Sequence, residues 1–182
     1  MNNAAPDVPS RYPDRPLDQA SERWWIAKVK PRQEKQLAAD FYKDEIEYYL
    51  PLYAKNTPRP GTTHRRIFHV PLFPGYISFA QEQPHNIYTS GRVVNLIEIR
   101  HQQRFIRELN QIYFLLQGKA PLEPVTDLFT EGTPVKIIHG PFSGIEGVVK
   151  KDSSTPHLIL SVECLGMASL KIERTWIREL EE

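Results

Sequence analysis

Residues 135–149 read VKIIHGPFSGIEGVV, and this stretch decides the fold of the C-terminal part of the chain. Strand-like residues flank a Gly-Pro turn, which is typical of a β-hairpin with a tight loop. Phe142 lies at the predicted tip of that loop, where a contact with a partner is favoured over burial in a core. Hairpins of this kind occur in many small barrels, but the spacing of the glycines makes this one less ordinary.

Around this hairpin the sequence predicts only short strands and no helical periodicity. The five predicted strands cover residues 133–138, 145–151, 157–164, 168–173 and 176–180. Five short strands within about 50 residues cannot bury the face of a flat sheet. We therefore expect the C-terminal part to close into a small barrel.

Residues 23–118 show a different pattern, in which strands and helices alternate as β-α-β-β-β-α-β-α. The segment WWIAKV at 24–29 is aromatic and β-branched and predicts a strand, and an amphipathic helix follows it. A second helix is predicted over 101–117, with one apolar stripe and with Gly118 at the C-terminal cap. This order indicates an α+β domain, in which helices cover an antiparallel sheet.

Composition sets the remaining boundaries. Residues 1–22 are rich in Pro, Asp and Arg and predict a disordered tail. Residues 119–130 contain two prolines without a clear period, which predicts a linker, although its apolar residues can pack on one domain. The predicted domains are therefore 23–118 and 131–182.

Charge is distributed unevenly, although the chain as a whole carries only +1. Residues 23–119 hold 15 basic and 8 acidic side chains, a net charge of +7, whereas residues 120–182 have a net charge of −4. The basic part is suited to lie near nucleic acid. Solvated faces of opposite sign explain the same numbers, and charge alone does not decide between these interpretations.

The sequence lacks the spacings that mark catalytic, cofactor and metal sites. Its six histidines show no ligand spacing, and no P-loop, G-x-G-x-x-G or G-x-S-x-G is present. We expect no enzymatic activity, no cofactor and no metal. No apolar run approaches the ~20 residues that span a bilayer, so a cytoplasmic location is expected. The single cysteine, Cys164, is predicted to be a small buried residue rather than a reactive thiol.

A second unusual stretch is VPLFPGYI at residues 70–77. Two prolines and a glycine stiffen this strand connection, and they present Leu72, Phe73 and Tyr76 with little conformational freedom left to lose. Rigid aromatic side chains of this kind are typical of binding surfaces. The alternative is a hydrophobic turn folded into the core.

Together these stretches resemble a known family. Residues 135–149 resemble a KOW motif, and WWIAKV at 24–29 with FPGY at 73–76 resembles the N-terminal domain of NusG-type transcription elongation factors. The resemblance keeps order and spacing over residues 23–181. It implies an α+β N-terminal domain, a linker and a five-stranded SH3-like KOW barrel. It further implies a monomer that binds RNA polymerase on the clamp helices of the largest subunit, beside upstream and non-template DNA.

The resemblance also implies which residues make these contacts. An apolar concavity would contact the polymerase through Trp25, Tyr53, Leu72, Phe73, Pro74 and Tyr76. Basic side chains would face the DNA, namely Lys28, Lys30, Arg32, Lys35, Arg65 and Arg66. The loop of the KOW motif would bind a further partner, with a ribosomal protein as one candidate, through Gly140, Pro141, Phe142 and Gly144.

Residues 161–167, SVECLGM, bear on the kind of family member. They depart from the Phe-Gly-Arg-like segment of housekeeping NusG and are most similar to the specialised UpxY and RfaH-like factors, which implies antitermination of a long operon, often for surface polysaccharide. Two alternatives stay open: a housekeeping role with the termination factor Rho, and a ribosome-associated KOW protein that binds RNA. RfaH-type factors can refold their C-terminal domain as helices. In this chain the β-branched composition of the C-terminal domain predicts strands without a helical alternative.

Overall fold

The structure, a computed structural model, describes residues 8–58, 65–125, 132–149 and 157–180. The strands in this part of the chain are β1 (Arg11–Tyr12), β2 (Trp24–Val29), β3 (Glu47–Tyr49), β4 (Leu52–Pro58), β5 (Arg65–Pro71), β6 (Tyr76–Ala80), β7 (Val93–Glu98), β8 (Glu123–Val125), β9 (Thr133–Ile137), β10 (Glu146–Val149), β11 (His157–Val162), β12 (Gly166–Lys171) and β13 (Ile177–Glu179). The helices are α1 (Glu34–Lys43) and α2 (Gln102–Gln117), with 3₁₀ turns at Leu17–Gln19, Pro84–Ser90 and Arg174–Trp176.

The chain divides into two compact units. The first unit consists of Met1–Pro51, Phe73–Arg107 and Glu163–Leu165. The second unit consists of Leu52–Leu72, Glu108–Val162 and Gly166–Glu182. The domain boundaries deduced from the sequence stay predictions.

The first unit contains a five-stranded sheet in the order β1-β3-β6-β2-β7, with every neighbouring pair antiparallel. One face packs against α1, where the ring centroids of Phe41 and Phe79 lie 5.2 Å apart. The other face packs against the start of α2, where Trp24 and Phe105 lie 6.4 Å apart. Burial of such side chains stabilises the fold by ~1.5–3 kcal/mol each. The predicted antiparallel sheet with helices is confirmed.

The N-terminal segment is part of this sheet. Strand β1 pairs with β3, and the hydroxyl of Tyr48 donates a hydrogen bond to the carbonyl of Pro9. Leu17 is buried, and its carbonyl accepts a hydrogen bond from Nε1 of Trp24. The predicted disordered tail is therefore wrong for residues 8–22, while residues 1–7 lie outside the described residues. This segment is held by main-chain pairing and one buried leucine, which require few apolar residues. Its composition therefore did not reveal that it is ordered.

Residues 47–58 form two strands in two different sheets. β3 ends before Leu50, and β4 begins after Pro51, whose ring cannot donate to a strand ladder. β4 pairs with β5 as a separate two-stranded antiparallel sheet, here called the ribbon. β4 continues to Pro58, and residues 59–64 lie outside the described residues.

The second unit contains an antiparallel sheet in the order β13-β9-β10-β11-β12-β8. The predicted hairpin of residues 135–149 is present as β9 and β10. Among the described residues the edge strands β13 and β8 do not pair with each other, so the sheet is open and the predicted closed barrel is not confirmed. β8 lies inside the predicted linker and pairs with β12 as a sixth strand. Residues 126–130 of that linker lie outside the described residues.

Helix α2 ends in a Schellman motif. The Lys119 N–H donates to the carbonyl of Leu116 at 3.0 Å, and the Ala120 N–H donates to that of Leu115 at 2.9 Å. Lys119 takes the left-handed conformation, with φ of 57°, one position beyond the predicted cap residue Gly118. Of the helices in the described residues, none is long and apolar enough to cross a membrane.

Cys164 lies at the turn that connects β11 to β12. The register of this hairpin places Val162 opposite Gly166, so Cys164 is at the tip with φ of 62°. Its side chain is exposed. The prediction of a small buried residue is therefore wrong, although the next residue in the turn, Leu165, is buried.

Candidate functional site

The segment FPGY at residues 73–76, here called the 73–76 turn, connects the ribbon to β6 of the first unit. Gly75 takes φ of 86°, a conformation that glycine adopts without a steric penalty. The Tyr76 N–H donates to the carbonyl of Phe73 at 3.2 Å, and the Val29 N–H donates to the carbonyl of Gly75 at 2.8 Å. Pro74 is exposed and Tyr76 is half-buried, so the turn offers these two side chains to a partner.

A buried carboxylate holds the turn in place. Glu34, the first residue of α1, is only 6% exposed, and its Oε1 accepts a hydrogen bond of 2.7 Å from the Gly75 N–H. A hydrogen bond to an ionised acceptor is stronger than one between neutral groups. The start of α1 therefore fixes the position of the turn, a link that the sequence analysis did not predict because it joins residues 41 positions apart.

Two of the expected polymerase-binding residues are not available at the surface. Leu72 is 0% exposed and Phe73 is 4% exposed. The expectation that these two side chains line an accessible apolar concavity is wrong for both. Burial of a large apolar side chain is favourable because it removes apolar surface from water. A hydrophobic turn folded into the core was the alternative interpretation of this stretch.

The other expected polymerase-binding residues do not share one face. The register of β2 and β6 places Trp25 opposite Phe79 and Lys28 opposite Tyr76. Because side chains alternate along a strand, Trp25 and Tyr76 point to opposite faces of the sheet. Tyr53 belongs to the second unit, where burial, with a smaller contribution from Glu123, raises its pKa.

Trp25 is held at its own face of the sheet. It is half-buried, and its Nε1 donates a hydrogen bond of 2.9 Å to the carbonyl of Gln81. The guanidinium of Arg23 lies 5.9 Å from the ring centroid, within the range of a cation–π contact. Trp25 is therefore positioned by contacts within the first unit, and its role in binding a partner stays a prediction.

The six basic residues predicted to face nucleic acid fall into two groups. Four lie in the first unit, between β2 and the first turn of α1: Lys28, Lys30, Arg32 and Lys35. All of these are exposed except Lys35, which is half-buried. Arg65 and Arg66 are exposed on β5 in the second unit. The structure thus shows two groups of positive charge in separate units, and contact with nucleic acid stays a prediction for both.

The loop between β9 and β10 borders an apolar cavity of about 340 Å³ in the second unit. The cavity is lined by Pro121, Ile137, Phe142, Leu170, Lys171, Ile172, Glu173 and Trp176. Pro141 and Gly144 are exposed beside it. Most of its lining is apolar, with one cation and one carboxylate at the side, which is the usual composition of a site for an apolar side chain.

Two glycines allow the aromatic walls of this cavity to form. A Cβ at Gly140 would lie 2.5 Å from Cζ3 of Trp176, and a Cβ at Gly118 would lie 2.6 Å from Cε1 of Phe142. Phe142 is half-buried rather than free at the loop tip as expected. Trp176 was predicted as the first residue of a strand and not as part of a site, whereas it lies in the 3₁₀ turn before β13. A tryptophan at the start of the last predicted strand was the available signal.

Comparison with known proteins identifies the class. The family described as transcription termination factor nusG matches residues 22–127. This span covers more than half of the chain and includes β2, α1, the ribbon, the 73–76 turn and α2. The chain therefore belongs to the NusG family and has the fold of a NusG family transcription factor.

A solved structure agrees at the level of the fold. The structure of Thermotoga maritima NusG, which describes its domain interaction, superposes with a TM-score of 0.51 at 18% identity, covering 88% of this chain and 98% of that chain. The MjSpt4:Spt5 complex in conformation B is 17% identical over 87% of this chain and 97% of that chain, with a TM-score of 0.26, which is too low to indicate a shared fold. Among curated proteins no sequence match is found.

Proposed function

We propose that this chain is a transcription elongation factor that binds RNA polymerase through the 73–76 turn and acts without a catalytic step. The observation that carries the proposal is the family match over residues 22–127, which contains the whole turn and the carboxylate of Glu34 that holds it. Pro74 and Tyr76 are the accessible side chains of the turn. A prearranged aromatic anchor binds well because little conformational entropy is lost when a partner covers it.

The proposed partner surface is the pair of clamp helices of the largest polymerase subunit, with upstream and non-template DNA close by. Binding there opposes opening of the clamp and raises processivity. The exposed cations of the first unit, among them Lys28, Lys30 and Arg32, are suited to contact the phosphates of nearby DNA.

Affinity for core RNA polymerase tests the docking proposal. The double variant Pro74→Ala/Tyr76→Ala should bind about tenfold or more weakly, since loss of a central anchor costs above ~1 kcal/mol. Tyr88→Ala is the matched control, because Tyr88 is an exposed tyrosine of the first unit that does not belong to the turn. Phe73 is unsuited to this test, because truncation of a buried phenylalanine would destabilise the fold. Full affinity in the double variant would contradict docking through the turn.

For the finer role we propose antitermination of the UpxY and RfaH-like kind. The support is the sequence SVECLGM at 161–167, which forms the end of the β11–β12 hairpin in place of the housekeeping segment. Transcription by a purified polymerase through a Rho-dependent terminator measures this directly. Readthrough should rise when the factor is added; enhanced termination would instead support the housekeeping role with Rho.

The cavity beside Phe142 supports a second binding function. Its volume of about 340 Å³ and its aromatic walls suit an apolar side chain of a protein partner, and a ribosomal protein is the proposed candidate. Trp176→Ala should reduce co-purification of ribosomal proteins while polymerase binding is kept. A variant that still captures ribosomal proteins at the wild-type level would remove the cavity from this role.

A further inference from the structure

The ribbon carries two large apolar side chains that the described chain leaves exposed to a large extent. Ile67 is 63% exposed and Phe68 is 46% exposed. Most of the neighbouring positions on β4 and β5 are exposed as well. A two-stranded ribbon gains little stability by itself, and apolar side chains left in water on such an element indicate a contact surface.

The charge of the ribbon indicates the chemistry of the partner. Residues 52–58 and 65–71 contain Lys55, Arg65 and Arg66 and no aspartate or glutamate. In the described residues no ion pair neutralises any of these three cations. Such concentrated positive charge complements the phosphates of a nucleic acid, whose counterions are released on binding.

The register of the ribbon shows that both of its faces have the same character. Lys55 pairs with Phe68 and Thr57 pairs with Arg66, and paired residues share a face. Arg65 and Ile67 alternate with Arg66 and Phe68, so they lie on the opposite face. Each face thus presents a cation next to a large apolar side chain. A flat protein surface would cover only one face, whereas a groove covers both.

We propose that the ribbon inserts into the major groove of duplex DNA. A major groove about 12 Å wide admits a two-stranded β-ribbon. Lys55, Arg65 and Arg66 contact phosphates on the two walls of the groove, and Ile67 and Phe68 contact base edges such as thymine methyl groups. This inference rests on the proposed function, which places the chain beside DNA, and it names the kind of nucleic acid and the element that binds it.

Anisotropy of a labelled duplex of about 20 base pairs, titrated with the full chain over a series of salt concentrations, tests the inference. The triple variant Lys55→Gln/Arg65→Gln/Arg66→Gln should make the negative slope of log K against log salt less steep by about 2–3, since each phosphate contact contributes about 0.9 to its magnitude. The matched control is Lys43→Gln/Arg107→Gln/Arg178→Gln, which removes the same charge from exposed positions outside the ribbon and should keep the wild-type slope.

Three results would overturn the inference: no binding of the duplex by the wild-type chain, an equal loss of slope in both triple variants, or equal affinity for a single strand of the same sequence. Phe68→Ser should weaken duplex binding at every salt concentration without changing the slope, which separates the apolar contact from the ionic ones. Because no polymerase is present in this experiment, failure of the polymerase-binding test would leave its result intact, and the two proposals fail separately.

Discussion

The 73–76 turn and the ribbon carry aromatic side chains in opposite ways. At the turn Phe73 is buried, a carboxylate from α1 fixes the backbone, and only Pro74 and Tyr76 remain accessible. On the ribbon, a two-stranded sheet, the side chain of Phe68 is 46% exposed to solvent. The turn is therefore prearranged by the fold of the first unit, whereas the ribbon depends on a partner to cover its side chains. This difference predicts that truncation of the buried Phe73 lowers stability, whereas truncation of the exposed Phe68 changes binding and leaves stability almost unchanged.

The largest effect is expected from a matched pair of truncations. Phe73→Ala should lower the free energy of unfolding by about 3–5 kcal/mol, because it leaves a cavity around a buried ring. Phe68→Ala should lower it by under about 1 kcal/mol, because its ring is already half in water. Urea denaturation of the two variants measures both values. Equal losses would contradict the contrast between the two regions.

A smaller effect is expected at alkaline pH. Burial, with a contribution from Tyr42, raises the pKa of Tyr48 to about 12, whereas an unfolded tyrosine ionises near pH 10. The folded chain then binds more protons than the unfolded chain between these values. Stability is complete below about pH 10 and should fall by about 2–3 kcal/mol as the pH rises to 12.

Denaturation of Tyr48→Phe across this window is the comparison, because phenylalanine cannot ionise and should show a flatter pH dependence. Tyr53 at the base of the ribbon serves as the contrasting position. Its pKa is raised as well, but the ring is only half-buried, so Tyr53→Phe should alter the alkaline loss less. A steeper change at Tyr53 than at Tyr48 would reverse the comparison.

The smallest predicted effect concerns the support of the turn. Glu34→Leu removes the acceptor of the Gly75 N–H and should cost about 1–3 kcal/mol, since a part-buried donor loses its partner. Glu34→Gln keeps an oxygen at this position and should recover most of the loss. Urea denaturation together with hydrogen exchange at Gly75 measures both. Exchange at Gly75 that is equally slow in the leucine variant would show that the carboxylate does not hold the turn.

Local patterns allowed much of the fold to be predicted. The hairpin of residues 135–149 and helix α2 have periodicities that come from neighbouring residues, and both are present. Strands β1 and β8 were missed because two or three residues of main-chain pairing leave almost no pattern in the side chains. The predicted closure into a barrel is not confirmed, because closure depends on pairing between the edge strands and not on the number of strands.

The candidate site was predicted less well for a different reason. The sequence identified the 73–76 turn by its prolines and glycine, but it did not separate the buried Phe73 from the accessible Tyr76. The opposite orientations of Trp25 and Tyr76 follow from the register of β2 and β6, which is a tertiary property. Glu34 was missed for the same reason, because its partner is far away in sequence.

Strand β1 has a consequence for how these molecules behave at high concentration. It pairs with β3 and closes that side of the first sheet with only two residues. An edge this short gives another copy almost no template for sheet extension, which is a common protection of natural β-sheets against self-association. Removal of the segment that precedes Trp24 would expose the edge of β3 and should increase aggregation of the protein.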